Sequence, residues 1–143
     1  MHAYDKDILA WSQEQAQLIR AGHFELIDVV HVAEEIEDVG KSEQREMIHR
    51  MAVLLAHLLK WQYQPERRGA SWEKTIKAQR KELAYHFDET PSLRPKLLEN
   101  RWLEMVWAKA VAQAVSETGL DCFPDECPWA MEEKILNPHW FPA

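Results

Sequence analysis

Residues 56–80 read AHLLKWQYQPERRGASWEKTIKAQR, and the punctuation of that stretch decides the fold. An apolar run at helical spacing leads into Lys60 and Trp61 and is halted by Pro65 and Gly69, after which Ser71 is placed to cap a second run carrying Trp72 and Ile76. A helix, a short loop and another helix are therefore encoded within a single window. Basic and aromatic residues gather at the same corner, so the fold-determining stretch is also the first place to look for contacts.

Working outward, the helix entering this corner opens at Ser42 and carries Met47, Met51, Leu54, Leu55, Leu58 and Gln62 on one face. Upstream, Asp28 is placed to cap a shorter helix with Val29, Val32, Ala33 and Ile36 in a stripe, which Gly40 closes in the position of a left-handed terminating residue. Before it, Tyr4, Ile8, Trp11, Gln15 and Leu18 mark a first helix, with Asp5 to cap it and Gly22 to end it. Downstream, the fourth helix continues its stripe through Leu83 and Phe87. Thr90, Pro91, Ser92 and Pro95 then form an irregular turn.

The fifth helix is long and runs to a stop at Glu117, Thr118 and Gly119. Leu98, Trp102 and Met105 mark one of its faces and Leu103, Trp107 and Ala114 the other, so it should lie centrally. The proline-rich loop LDCFPDECPW leads to a short helix near 130–136, and the tail PHWFPA is apolar enough to dock. Alternating β-branched runs and internal repeats are missing. The expectation is a single all-α domain over residues 1–143, a bundle of five or six helices with a long central fifth helix.

Its 143 residues and 46% hydrophobic content suit one domain with a substantial core. The start, MHAYDKDILAW, lacks a basic segment followed by a long apolar run, and no window approaches the roughly 18 apolar residues of a membrane span. A cytoplasmic protein is expected. Cys122 and Cys127, with four residues between them and prolines adjacent, match neither a redox pair nor a structural zinc set, and are expected to be reduced bystanders.

The formal charge of −7 hides a segregation. Residues 1–46 carry 4 bases and 11 acids, 47–81 carry 8 and 2, and 82–143 carry 5 and 11, giving −7, +6 and −6. Such blocks either pair within the fold or leave one facing an external partner.

The quoted corner, together with AEEIEDVGKSEQRE, TPSLRP, ETGL and FPDECPW, resembles in order the blocks of a bacterial family prominent in cyanobacteria, Domain of Unknown Function family number 29. The resemblance extends over nearly the whole chain. It implies a small stand-alone helical protein and no substrate. His31 departs from the asparagine expected in many relatives, so a role for it would be particular to this chain.

Several constellations can carry work. Arg80 falls in the middle of an apolar stripe, and a guanidinium buried there without a partner is very costly. It should be bidentate with a carboxylate, Glu34, Glu35 or Glu37, with Glu35 the chosen partner, or else face a bound anion. Glu34, Glu35, Glu37 and Asp38 crowd the expected end of their helix, where the dipole is also negative, and need an offsetting cation. Carboxylates and His31 at helical spacing can hold a divalent ion, but Glu46 to His49 is the only Glu-x-x-His pair, where a di-iron bundle needs two. No metal and no cofactor is expected.

Arg50 and His57, separated by six residues, resemble the signature of the HEPN ribonucleases, in which such a pair can bind phosphate and move a proton. Glu46, one turn before Arg50, offers an ordinary ion pair instead. Lys60, Arg67, Arg68, Lys74, Lys77 and Lys81 with Trp61, Tyr63 or Trp72 suit nucleic acid electrostatically, although the flanking acids repel it and no nucleic-acid module is discernible. The expectation is a non-enzymatic interaction or regulatory module with a protein partner, homo-oligomerisation being open and a nucleic-acid-acting protein the alternative. Its contact surface should combine Glu34, Glu35 and Asp38 with Lys60, Trp61, Arg67, Arg68 and Trp72.

Overall fold

A computed structural model describes residues 1–143 and is helical throughout, without strands. Four α-helices carry the chain: α1 (Ile8–Arg20), α2 (Val29–Tyr63), α3 (Ala70–Glu89) and α4 (Asn100–Thr118). Short 3-10 segments precede α2, α3 and α4, at Phe24–Leu26, Pro65–Arg67 and Pro91–Leu98, and a single π-helical turn covers Met131–Ile135. The chain clusters into two compact units, Met1–Glu43 and Gln44–Ala143, and α2 contributes to both.

The two helices expected at 28–40 and from Ser42 onward are one, the 35-residue α2. Gly40 does not take the left-handed conformation, which among glycines is confined to Gly22 and Gly119. With no proline nearby to remove a donor, Gly40 weakens the helix by about 1 kcal/mol relative to alanine and does not end it. Two caps also shift. Asp7, not Asp5, accepts the Ala10 amide at the start of α1, and α3 begins from extended Gly69, leaving Ser71 inside its first turn.

In the Met1–Glu43 unit, α1 ends through Gly22 at φ 76°, as its sequence requires. Trp11 and Gln15 are its buried residues. Both point to the start of α2, where Asp28 accepts the His31 amide in capping position.

In the Gln44–Ala143 unit, the core is built from Met47, Met51, Leu54, Leu55 and Leu58 of α2, as their spacing requires, with Leu59 beside them. Ile76, Leu83 and Phe87 of α3, Trp102, Val106, Trp107, Ala110 and Ala114 of α4, and Leu93, Leu97 and Ile135 from the connecting and C-terminal segments complete it. The helix expected to be apolar on two faces is buried along one broad stripe; Leu98 and Met105 are exposed. The segment after Gly119 docks by aromatic contacts. Trp107 donates to the Pro124 carbonyl at 2.9 Å and meets Trp129 edge-on, and Trp129 in turn meets Trp140. Arg94 clamps Glu132 through two 2.8 Å bonds.

Candidate functional site

In the Met1–Glu43 unit the first half of α2 is turned in an unusual sense. At 100° per residue, Val29, Ala33, Ile36 and Gly40 form one narrow stripe with Val32 and Val39 beside it. Asp28, His31 and Glu35 lie on the adjoining flank, and this polar flank is the one that α1 covers. Asp28 is the hub. Its Oδ2 accepts Trp11 Nε1 at 3.0 Å and contacts His31 Nδ1 at 2.7 Å, while its amide donates to Gln15 Oε1 at 2.8 Å. Tyr4 stacks on His31 with ring centroids 4.2 Å apart and donates its hydroxyl to Glu35.

The apolar stripe is left bare. Val29 is 67% exposed, Ile36 68% and Val39 67%; Val30, on another face of the helix, and Phe24 and Leu26 of the preceding 3-10 segment are exposed as well. Ordinary amphipathic helices bury this side and solvate the other. Glu37 is exposed at the edge of the stripe and Glu34 and Asp38 on the far side of the helix, where Asp38 is only loosely paired, 4.0 Å from Lys41.

These contacts set the local proton chemistry. The Asp28 hydrogen bond raises His31 above the usual imidazole value, and the His31 bond holds Asp28 below the usual carboxylate value. Tyr4 is pushed up to about 12, first by its hydrogen bond to the Glu35 carboxylate. The cluster is a clasp between two helices: His31 is bonded to Asp28, and the Tyr4 hydroxyl is bonded to Glu35 rather than to an imidazole nitrogen.

In the Gln44–Ala143 unit most of the expected corner is internal. Lys60 is 8% exposed, forms an ion pair with Glu117 of α4 and lies over the Trp72 ring at 5.7 Å. Against the upward push of its own burial, the Lys60 bond and charge hold Glu117 below the usual carboxylate range. Trp61 packs on Phe141 at 4.8 Å. Arg68 lies 5.3 Å over Trp61 and donates to the backbone oxygens of Trp61 and Ala143 at 2.6 and 2.9 Å. Of the corner's cations only Arg67 is exposed. Tyr63, named as a stacking platform, is half-buried edge-on to Phe123.

Arg80 is buried as expected, at 5% exposure, but the expected ion pair with Glu35 is corrected. Its Nε donates to the Ile135 carbonyl at 2.9 Å and its Nη2 to that of Lys134 at 3.3 Å, while the guanidinium lies 5.5 Å over Phe141. The carboxylate of Glu35 serves Tyr4 instead. The physical reason lies at the end of the π-helical turn, where carbonyls run out of helical partners: Arg80 takes the Ile135 carbonyl and shares that of Lys134 with the Asn137 amide. Burial with no acid opposite lowers Arg80 to about 10. A groove of about 710 Å³ runs beside it between α3 and the C-terminal segment, edged by Lys74, Lys77, Lys81 and His139 over Ala78 and Leu136.

Arg50 and His57 serve separate contacts. Arg50 binds Glu46 through Nε and Nη2 at 3.2 and 3.1 Å and approaches Glu82 of α3 at 3.9 Å. His57 contacts its own helix at the Val53 carbonyl at 2.9 Å, and burial lowers it below the ordinary imidazole value. The cysteines are free, Cys127 donating to the Trp129 carbonyl at 3.6 Å. No helix is long and apolar enough to cross a membrane.

Sequence reasoning missed two features. The Asp28 hub was readable only as a cap, although Tyr4 and Trp11 at a seven-residue interval face the same way as their partners. The bare stripe was expected to be core, because periodicity shows that a face is apolar and not whether the chain itself covers it.

Together these features describe an all-helical protein in which Trp61, Trp72, Lys60, Arg68 and Arg80 serve internal docking, while an apolar stripe of α2 and a basic edge of α3 are left exposed. A family model described as a domain of unknown function, DUF29, matches residues 3–141, and the chain belongs to that family. No curated protein and no solved structure matches it.

Proposed function

We propose that this protein is a non-enzymatic helical interaction module whose contact surface is the bare stripe of α2 in the Met1–Glu43 unit. The observation that carries the reading is the orientation of that helix. Its polar flank is clasped by α1 through Asp28, His31 and Glu35, while Val29, Ile36 and Val39 face solvent. Exposed apolar patches rimmed by charge mark interaction sites in monomeric proteins. Glu35 and Glu37 then border the contact on its two flanks, whereas Glu34 and Asp38 lie on the far side of the helix. Lys60, Trp61, Arg68 and Trp72 hold their own unit together, and Arg67 is the exposed member of that group.

The test uses an apolar dye that fluoresces on exposed hydrophobic surface. At submicromolar protein, the native wild type should enhance anilinonaphthalene sulfonate fluorescence, and Ile36→Glu and Val39→Glu should each remove most of that signal without changing the circular dichroism spectrum. Equal enhancement by wild type and both variants would place the accessible apolar surface elsewhere and refute the reading.

A further inference from the structure

The Gln44–Ala143 unit carries an exposed surface of a different kind, and what it binds does not depend on the α2 stripe. The chain has 24 acids against 17 bases. Yet the groove of about 710 Å³ between α3 and the C-terminal segment is lined by Lys74, Lys77, Arg80 and Lys81 and by no carboxylate. We propose that this groove binds a small phosphate ester, with the phosphate between Lys74 and Lys81 and the organic body against Ala84, Leu136 and Pro138.

Three of the four cations are uncancelled. Lys77 is paired with Glu73 at 2.8 Å, but Lys74 and Lys81 are exposed and enter no ion pair. Arg80 spends Nε and Nη2 on the carbonyls of Ile135 and Lys134, which fastens the C-terminal wall to α3, while its Nη1 is buried and has no acceptor. A guanidinium that meets only carbonyl dipoles keeps its full charge, and the low dielectric around it screens that charge little. Such a groove favours more than one negative charge on its ligand. A phosphate monoester carries about −1.5 to −2 at pH 7, where a carboxylate or a sulfonate carries a single charge.

The spacing suits one phosphate group. Lys74 and Lys81 lie two turns apart on one face of α3, about 10 Å along its axis. Their flexible four-carbon stems can converge from both ends, and Ala78 between them leaves the intervening surface low. Size calls for an organic body as well. About 710 Å³ falls within the roughly 300–1,000 Å³ of sites that hold organic ligands, and Ala84, Leu136 and Pro138 offer such a body apolar contact. A long polyanion is opposed by the net charge of −7 on the chain.

Proton–nitrogen correlation NMR of the full isotope-labelled chain tests the proposal with phenyl phosphate as the probe, because backbone shifts report both affinity and place. At about 50 mM sodium chloride and pH 7, saturable shifts should gather at residues 74–84 and 134–139. Phenyl phosphate should bind at least tenfold tighter than inorganic phosphate, which lacks the body, and than benzenesulfonate, which lacks the second charge. Lys74→Glu and Lys81→Glu should each weaken it about tenfold, since attraction at a few ångström becomes repulsion. Raising the salt to about 500 mM should weaken it several-fold. Ile36→Glu, in the other unit, should leave it unchanged.

Absence of a saturable shift in the groove at about 10 mM phenyl phosphate overturns the proposal, as does binding that ignores both lysine variants. Inorganic phosphate bound as tightly as the ester would mean a basic surface with no place for an organic body, and overturns it too. A twelve-nucleotide single-stranded RNA that shifts the same residues at about a hundredfold lower concentration than the ester would assign the lysines to a polymer instead.

Discussion

Replacing Arg80 by methionine should destabilise the protein by about 2 kcal/mol, and the figure follows from its contacts. Burial brings the guanidinium down from 12.5 to about 10, so holding it charged costs about 3 kcal/mol. Against this stand a charge-assisted bond to the buried Ile135 carbonyl, a longer one to Lys134 and the face of Phe141. At about 1.5–3 kcal/mol for such bonds and about 1 for the ring, the contacts return on the order of 5 kcal/mol. Methionine keeps most of the stem's volume but neither the cost nor the return, so the difference of about 2 kcal/mol is lost. Arg80→Ala removes the stem packing as well and should lose about 3 kcal/mol. Urea denaturation followed by far-ultraviolet circular dichroism reads both variants. An Arg80→Met variant as stable as wild type would refute the argument, because it would mean that the two carbonyls gain nothing from the guanidinium.

Other expectations rest on separate contacts. Arg67→Glu should leave stability within about 0.5 kcal/mol of wild type, whereas Arg68→Glu should lose about 2 kcal/mol by releasing the Trp61 and Ala143 backbone oxygens, which thermal denaturation distinguishes. Gly119→Ala should lose about 1 kcal/mol in the same assay, since α4 ends at φ 74° where alanine is strained. In a proton NMR titration His31 should titrate above the ordinary histidine midpoint and His57 below it. The stabilisation from protonated His31 is complete below the unfolded value of 6.5 and is lost as pH rises through its raised folded value. That from neutral His57 is present above 6.5 and is lost as pH falls through its lowered folded value. A reversed order of the two midpoints would contradict the contacts assigned to them.

The helical class and the Gln44–Ala143 core were legible because they depend on local spacing. Met47, Met51, Leu54, Leu55 and Leu58 are buried where their periodicity puts them, and Gly22 and Gly119 end helices where a left-handed residue was required. Gly40 misled because glycine is tolerated within a long helix at about 1 kcal/mol, and its presence alone does not turn the backbone. Arg80 was rightly placed in the interior, but its acceptors are backbone carbonyls 54 and 55 residues away, which no residue type announces. The corner of Lys60, Trp61, Arg68 and Trp72 presents the same limit. Its composition suits an external contact, yet Phe141, Glu117 and the Ala143 oxygen already occupy it.

Hydroxyl-radical footprinting of the native chain tests the bare stripe of α2 most directly, because it reads the solvent contact of each side chain. Val29, Ile36 and Val39 should be oxidised far faster than Leu54 and Leu58, at rates comparable with that of exposed Leu98. Val29, Ile36 and Val39 as protected as Leu54 would contradict the account, because the chain itself would then cover the face assigned to a partner.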